Sequence, residues 1–176
     1  MGDTVEIDPK SLEILAGIER KRNKIEIVKS SCADTRTCDY TKVTKETLLK
    51  NSEMHISDVR AGINFLIGKL LIASYLHDNT KITGIDSFHN DFKTGFTNTT
   101  WWEKHQREER HHFNTPEYVK DDINLIDVIE QVVDGVMAGM ARSGSYRFEP
   151  LSNELLQKAY SNTAKLLLDN LVIVDG

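Results

Sequence analysis

The stretch INFLIGKLLIASYL, residues 63–76, offers only Asn64, Lys69 and Ser74 as polar positions and runs straight into His77 and Asp78. An apolar run of this length without proline predicts a helix buried on most sides. An imidazole and a carboxylate at its end are costly beside a core unless something satisfies them. A metal ion would satisfy both. The alternative is that Asp78 caps the next segment while His77 hydrogen-bonds to backbone.

The rest of the chain supplies helices to cover that run. Prolines stand only at positions 9, 116 and 150, and no internal repeat interrupts the pattern. Residues 10–29 carry apolar residues at helical spacing behind Ser11 as N-cap, and residues 30–44 are polar and read as loop. A long helical segment over 45–76 is predicted, with a break near Gly62 or Gly68. Residues 79–100 are rich in Asn, Thr, Gly and Asp, which predicts an extended loop with one helical turn. A Trp-led helix over 101–112, an amphipathic helix over 121–142 and a final helix over about 151–171 complete the pattern. The expected fold class is all-α. At 176 residues the chain fits one domain. Residues 1–44 are expected to pack as an N-terminal helix and loop on a helical domain of 45–176.

Composition narrows the function classes. With 39% apolar and 28% charged residues, and no apolar run near the roughly 18 residues of a membrane span, the expectation is a soluble protein without a membrane partner. The opening MGDTVEIDPK has neither the basic start nor the apolar stretch of a signal peptide, so the expected compartment is the cytoplasm, the host's if the chain is phage-encoded. Cys32 and Cys38 lie six apart, without zinc-knuckle or redox-pair spacing. A net charge of −5 disfavours stable nucleic-acid binding. No glycine-rich phosphate loop and no Gly-x-Ser-x-Gly elbow occurs.

All six histidines fall between positions 55 and 112. Clustered imidazoles with carboxylates suit zinc, manganese, iron, cobalt or nickel, held by side chains from several helices facing a common core. His55 lies beside a stripe of Leu48, Ile56, Val59 and Ile63. Asp134 interrupts the nearly continuous apolar run of Ile129, Val132, Val133, Val136, Met137 and Met140, where an unpaired carboxylate would be expensive. Asp127, seven residues earlier, is the competing position. His105 and His111 are six apart, about 9 Å along a straight helix, and would share neighbouring ions only if the helix ends between them. Glu108 and Glu109 make Glu-x-x-His spacings with His111 and His112, as in di-iron bundles, but no second helix repeats the motif. His89 fits no part of the pattern and reads as a surface or substrate-side residue.

His55, then His77-Asp78-Asn79-Thr80-Lys81, then a distant Asp134 resembles the H…HDxxK…D signature of the HD-domain superfamily, an all-helical fold of metal-dependent phosphohydrolases. The HDNTK, WWEKHQREERHHFNTPEY and VVDGVMAGMARSG stretches further resemble a group of HD-like proteins of bacteria and tailed phages, over about residues 50–174. The resemblance implies metal ligation by His55, His77, Asp78 and Asp134. It adds His105 and the pair His111-His112 where two ions are held, with Asp78 bridging. Lys81 matches the lysine that contacts substrate phosphate. Arg107, Arg110 and Arg142 are further candidates for the phosphate by location. The implied activity is hydrolysis of a nucleotide or other small phosphoester, with Asp78 and Lys81 at the chemistry. A di-iron oxygenase on the same fold, and a non-catalytic, metal-stabilised binding protein that forms a homo-oligomer through the Met137 and Met140 helix, are the alternatives.

Overall fold

The computed structural model describes residues 24–29, 34–97, 100–146 and 150–175, with Glu13 and Gly17 alone before them. The fold is mainly helical. Helix α1 spans Lys45–Leu76, α2 Asn79–Thr83, α3 Ile85–Lys93, α4 Thr100–Glu108, α5 Leu125–Ser143 and α6 Asn153–Asp169. Short 3-10 turns stand at Thr35–Thr37 and Pro116–Tyr118. Strand β1, Ile25–Lys29, pairs in parallel with β2, Leu171–Asp175, with Ile25 opposite Leu171 and Val28 opposite Val174.

The sheet corrects the expected helix over 10–29. Glu13 and Gly17 are helical, but the end of that segment, IEIVK, is rich in β-branched residues and finds a matching partner in LVIVD. Because the two strands come from opposite ends of the described chain, residues 24–29 are tied to the C-terminal segment as well as to α1. Cys32 lies outside the described residues. Cys38 is a free thiol that accepts a 2.9 Å hydrogen bond from Asn51 Nδ2.

Helix α1 runs for 32 residues without a break at Gly62 or Gly68. A glycine in a helix interior costs about 1 kcal/mol, too little to interrupt a ladder of good helix formers on both sides. Its burial also departs from expectation. Among the described residues of α1, only Asn51, Phe65 and Gly68 are buried, and much of the apolar run 63–76 stays accessible.

Residues 79–93 form two helices where an extended loop is expected. Ile85, Phe88 and Phe92 recur at helical spacing, and Phe88 stacks on Trp101 with ring centroids 4.2 Å apart. Gly84, between the two helices, lets them come under Trp101: a Cβ there would meet Thr80 O at 2.9 Å and Trp101 Nε1 at 3.0 Å. Buried Asp91 accepts hydrogen bonds from the backbone N–H groups of Trp101 and Trp102, at 2.8 and 3.2 Å, and so fixes the start of α4 against α3. Helix α5 begins with a capping box built from Asn124 and Asp127 and ends at Gly144, whose φ of 66° is the left-handed conformation glycine adopts at helix ends.

Candidate metal centre

Three segments deliver the site. The first is the end of α1, where His77 is the C-cap and Asp78 follows with φ 54° and ψ 21°. Left-handed backbone is uncommon outside glycine, though aspartate tolerates it better than most residues, and here it turns the carboxylate back into the fold. The second segment is α4 and the turn after it. Helix α4 stops at Glu108 rather than running to His112, so the chain reverses between His105 and the His111-His112 pair. That reversal brings His112 Nε2 to 2.9 Å from His105 Nε2, which a straight helix would forbid. The third segment is α5, which carries Glu130 and Asp134 on one face.

Hydrogen bonding fixes which nitrogen His77 and His105 present. Glu130 Oε1 lies 2.9 Å from His77 Nδ1 and 3.1 Å from His111 Nδ1. A carboxylate only accepts, so His77 Nδ1 carries its proton and its Nε2 lone pair faces away from Glu130, whereas His111 Nδ1 is in close contact with the same oxygen without a hydrogen bond. The same logic holds at His105 through a relay. The Thr80 hydroxyl donates to Glu109 Oε1 at 2.6 Å and therefore accepts from His105 Nδ1, also at 2.6 Å. Glu109 is anchored in turn by the Thr80 backbone N–H at 3.0 Å. The three Nε2 atoms converge on Asp78: 3.5 Å from His77 to Oδ2, and 3.4 Å from His105 and 3.7 Å from His111 to Oδ1. Asp134 Oδ1 stands 3.6 Å from His77 Nε2.

These separations suit ligands of a common ion. Nitrogens facing a carboxylate at 3.4–3.7 Å form no hydrogen bond with it, and the His105 Nε2 lone pair instead accepts from His112 Nε2, a bond a metal would displace, whereas bonds of about 2.0–2.2 Å at tetrahedral angles put ligand atoms about 3.4 Å apart. Asp78 Oδ1 and both ring nitrogens of His111 are buried without a hydrogen-bond partner, a costly arrangement that a divalent cation would relieve at Oδ1 and Nε2. Among the described residues, His77, Asp78 and Asp134 make one compact donor group, and Asp78 with His111 and His112, or with His105 and Glu109, makes others beside it. The donor set fits one or two transition-metal ions, with Asp78 shared.

The electrostatics agree with neutral imidazoles at His105 and His112. Burial pushes His105 and His112 down to about 4, assisted by the nearby His112 and His111 rings respectively. Burial alone would raise Asp78, but the hydrogen bond and charge of Lys81 hold it below the ordinary carboxylate range. Burial likewise opposes the charged forms of Glu130 and His111, yet their contact overcomes it. Glu130 is held low and His111 high.

The sequence-predicted residues divide clearly. His77, Asp78, His105, His111, His112 and Asp134 meet, and Lys81 Nζ contacts Asp78 Oδ2 at the edge of the group. His55 does not join them. It sits half exposed beside Asp34, 22 positions before His77 on an unbroken helix, which is about 33 Å along the axis. Arg110 is committed elsewhere: it clamps buried Asp127 through Nε and Nη2 at 2.8 and 2.9 Å and also reaches Asp122 at 3.1 Å. Asp127, the competing carboxylate, is thereby a structural partner. Arg107 lies over the Tyr118 ring, 4.7 Å from its centroid, in a separate cleft with Lys120. His89 is exposed on α3.

Arg142 does face the site. It lines a largely polar cleft of about 520 Å³ together with His111, His112, Asp134, Trp102 and Tyr146. Of the two tryptophans, Trp101 is core and stacks on His105 at 4.8 Å, whereas Trp102 forms a wall of this cleft. A second, apolar groove of about 290 Å³ reaches His77, Glu130 and Asp134 from between α1 and α5.

Sequence reasoning missed Glu130 and the role of Thr80, and named Glu109 only for its spacing to His112. Glu130 is four residues before Asp134 and so on the same helix face, a signal that was available. The Thr80–Glu109 relay depends on a contact across 29 residues and had no local signature. The chain matches no family model, no curated protein and no solved structure.

Proposed function

We propose that this protein is an HD-like, metal-dependent phosphohydrolase that acts on a nucleotide or other small phosphoester. The observation that carries the reading is the convergence of three histidine Nε2 atoms and Asp134 on Asp78, whose inward oxygen has no other partner. A divalent ion held there would lower the pKa of water to near neutrality and offset the charge of a phosphoryl group.

The chain's own residues support the substrate class. Arg142 and Lys81 place cations at two edges of the donor group, where a phosphate facing the ions would meet them. The cleft volume is that of a small-molecule site, and Trp102 and Tyr146 give it aromatic walls on which a base could stack. Glu130 and the Thr80–Glu109 pair hold the His77 and His105 imidazoles in one tautomer and orientation, the arrangement that raises ligand basicity in metal sites.

The test is elemental analysis of protein purified without added metal or chelator, alongside His77→Ala and Asp78→Ala, followed by a screen of nucleoside phosphates. One or two transition-metal equivalents that both variants lose, with phosphate release by the natural chain alone, is the expected result. Metal that both variants retain would overturn the site. Bound iron with a visible absorption band and no phosphate release would instead favour the oxygen-activating chemistry.

A further inference from the structure

The longest helix of the fold is poorly covered along much of its length. Leu49, Ile56, Ile63 and Leu70 follow each other by sevens, with Val59 and Leu66 at the intervening positions of the same repeat. That is a seam of 3.5-residue period, the pattern by which one helix packs along another. It lies opposite the inward face, since Phe65, two positions after Ile63 and about 160° around the helix, is the side chain that α1 buries. Ile63 is 53% exposed and Val59 46%. Helix α5 continues the surface with Ile129, Val133, Met137 and Met140, which border the apolar groove or extend its line.

We infer that a second copy of this chain covers this face, so that α1 and α5 of each copy pack together in an isologous dimer. Eight large apolar side chains of this face, four on each helix, are 46–64% exposed. They leave on the order of 800 Å² of apolar surface per chain, the share each partner gives to a standard stable interface and more than the usual largest patch of a monomer. A bilayer is the competing occupant, because residues 45–83 contain a stretch long and apolar enough to cross one by length and composition. The flanks of the seam argue against it. Lys50, Glu53, Asp58 and Arg60 set both signs beside the first half of the stripe, as coiled-coil flanks do, whereas surface-lying membrane helices favour Lys and Arg. The second half borders a groove that ends on His77, Glu130 and Asp134, polar groups that hydrocarbon would not solvate.

The inference stands apart from the metal reading, but it bears on that site. A second copy seated on the groove closes the apolar approach to His77 and Asp134 and leaves the polar cleft at Arg142 as the open entrance.

Sedimentation velocity of the full natural chain over a range of micromolar concentrations tests it, with Ile63→Lys/Ile67→Lys and, on the other helix, Met140→Asp compared at matched helix content by circular dichroism. Vesicles of a neutral phosphatidylcholine serve as the second arm. The expected result is a natural chain of twice the monomer mass that does not float with vesicles, and at least a hundredfold weaker association in both variants. These positions are accessible in the single chain, so charged side chains there leave its fold intact. If one variant loses helix, the other and the natural chain still decide. A natural chain that is monomeric at all concentrations, that floats with vesicles, or whose dimer survives both substitutions overturns the inference.

Discussion

His77 Nδ1 lies 2.9 Å from Glu130 Oε1, and the same oxygen stands 3.1 Å from Nδ1 of His111. One carboxylate, four residues from Asp134 on α5, thus bonds one imidazole and sits against a second that arrives from a different segment, with the Nε2 atoms of both near Asp78. Because the side chain is largely buried, its charge and its lone pairs are committed to this task.

Glu130→Gln should therefore weaken metal binding without abolishing it. The amide oxygen can stand in for Oε1 toward both rings, but the negative charge that favours their Nδ1 protons is gone. A loss of about 10- to 100-fold in affinity is expected, the size typical of removing a partner that orients a ligand. Competition with a coloured chelator measures it. Unchanged affinity would mean that the imidazoles are held by packing alone.

The metal-free protein should lose stability as pH falls from about 6.5 to 4. His105 and His112 are held near 4 by burial, so over this window the unfolded chain takes up protons that the folded one refuses. For fully buried His105 the depression corresponds to about 3 kcal/mol, fully lost at pH 4 and absent above the ordinary histidine value. His111 acts oppositely. Its raised value gives stability that is present in acid and fades as pH rises through it. Asp78 and Glu130, both held low, lose their contributions only as pH drops below the ordinary carboxylate range. Two depressed imidazoles against one raised one leave a net decline. Urea midpoints of chelator-treated protein from pH 7.5 to 4 check it, and a flat or rising profile would refute the burial argument.

What was legible in the sequence follows from how local each signal is. The His77-Asp78 pair and Asp134 were visible because each places polar groups against apolar neighbours, a conflict written within one helix turn. The start of α5 at Asn124 and the end at Gly144 lie within about four residues of expectation for the same reason. His55 misled because a sequence match carries no information on whether the intervening chain turns back. Here α1 stays straight, and the distance is fixed by helix rise. Strand β1 was missed since its partner lies about 146 positions away, and short apolar runs do not distinguish helix from strand without that partner.

His55→Ala accordingly separates geometry from pattern. The substitution should leave metal stoichiometry and affinity unchanged, whereas His77→Ala removes binding at the donor group it shares with Asp78 and Asp134. Elemental analysis of the two variants side by side settles the matter. Loss of metal in His55→Ala would require α1 to fold back on itself, contrary to its unbroken hydrogen-bond ladder.

Arg110→Ala should act on stability and not on the site. Asp127 is 3% exposed, donates nothing, and accepts from Arg110 Nε and Nη2 and from the Asn124 backbone N–H at 2.9 Å. Removing the guanidinium leaves a buried carboxylate with one remaining donor of the three, at the first turn of α5 where it also completes the capping box. Since the arginine is partly solvent-exposed, the cost falls at the lower end for a broken buried pair, about 3 kcal/mol, and a chain of this size would melt roughly 6–12 °C lower. Asp127→Asn/Arg110→Ala together should recover part of that loss, because the uncompensated charge is gone while the amide oxygen can still accept from Asn124. Thermal melts of the single and double variants measure the recovery, and metal content should match the natural chain in both. If the double variant is no more stable than Arg110→Ala, the cost arises from lost packing of the arginine stem rather than from the stranded carboxylate.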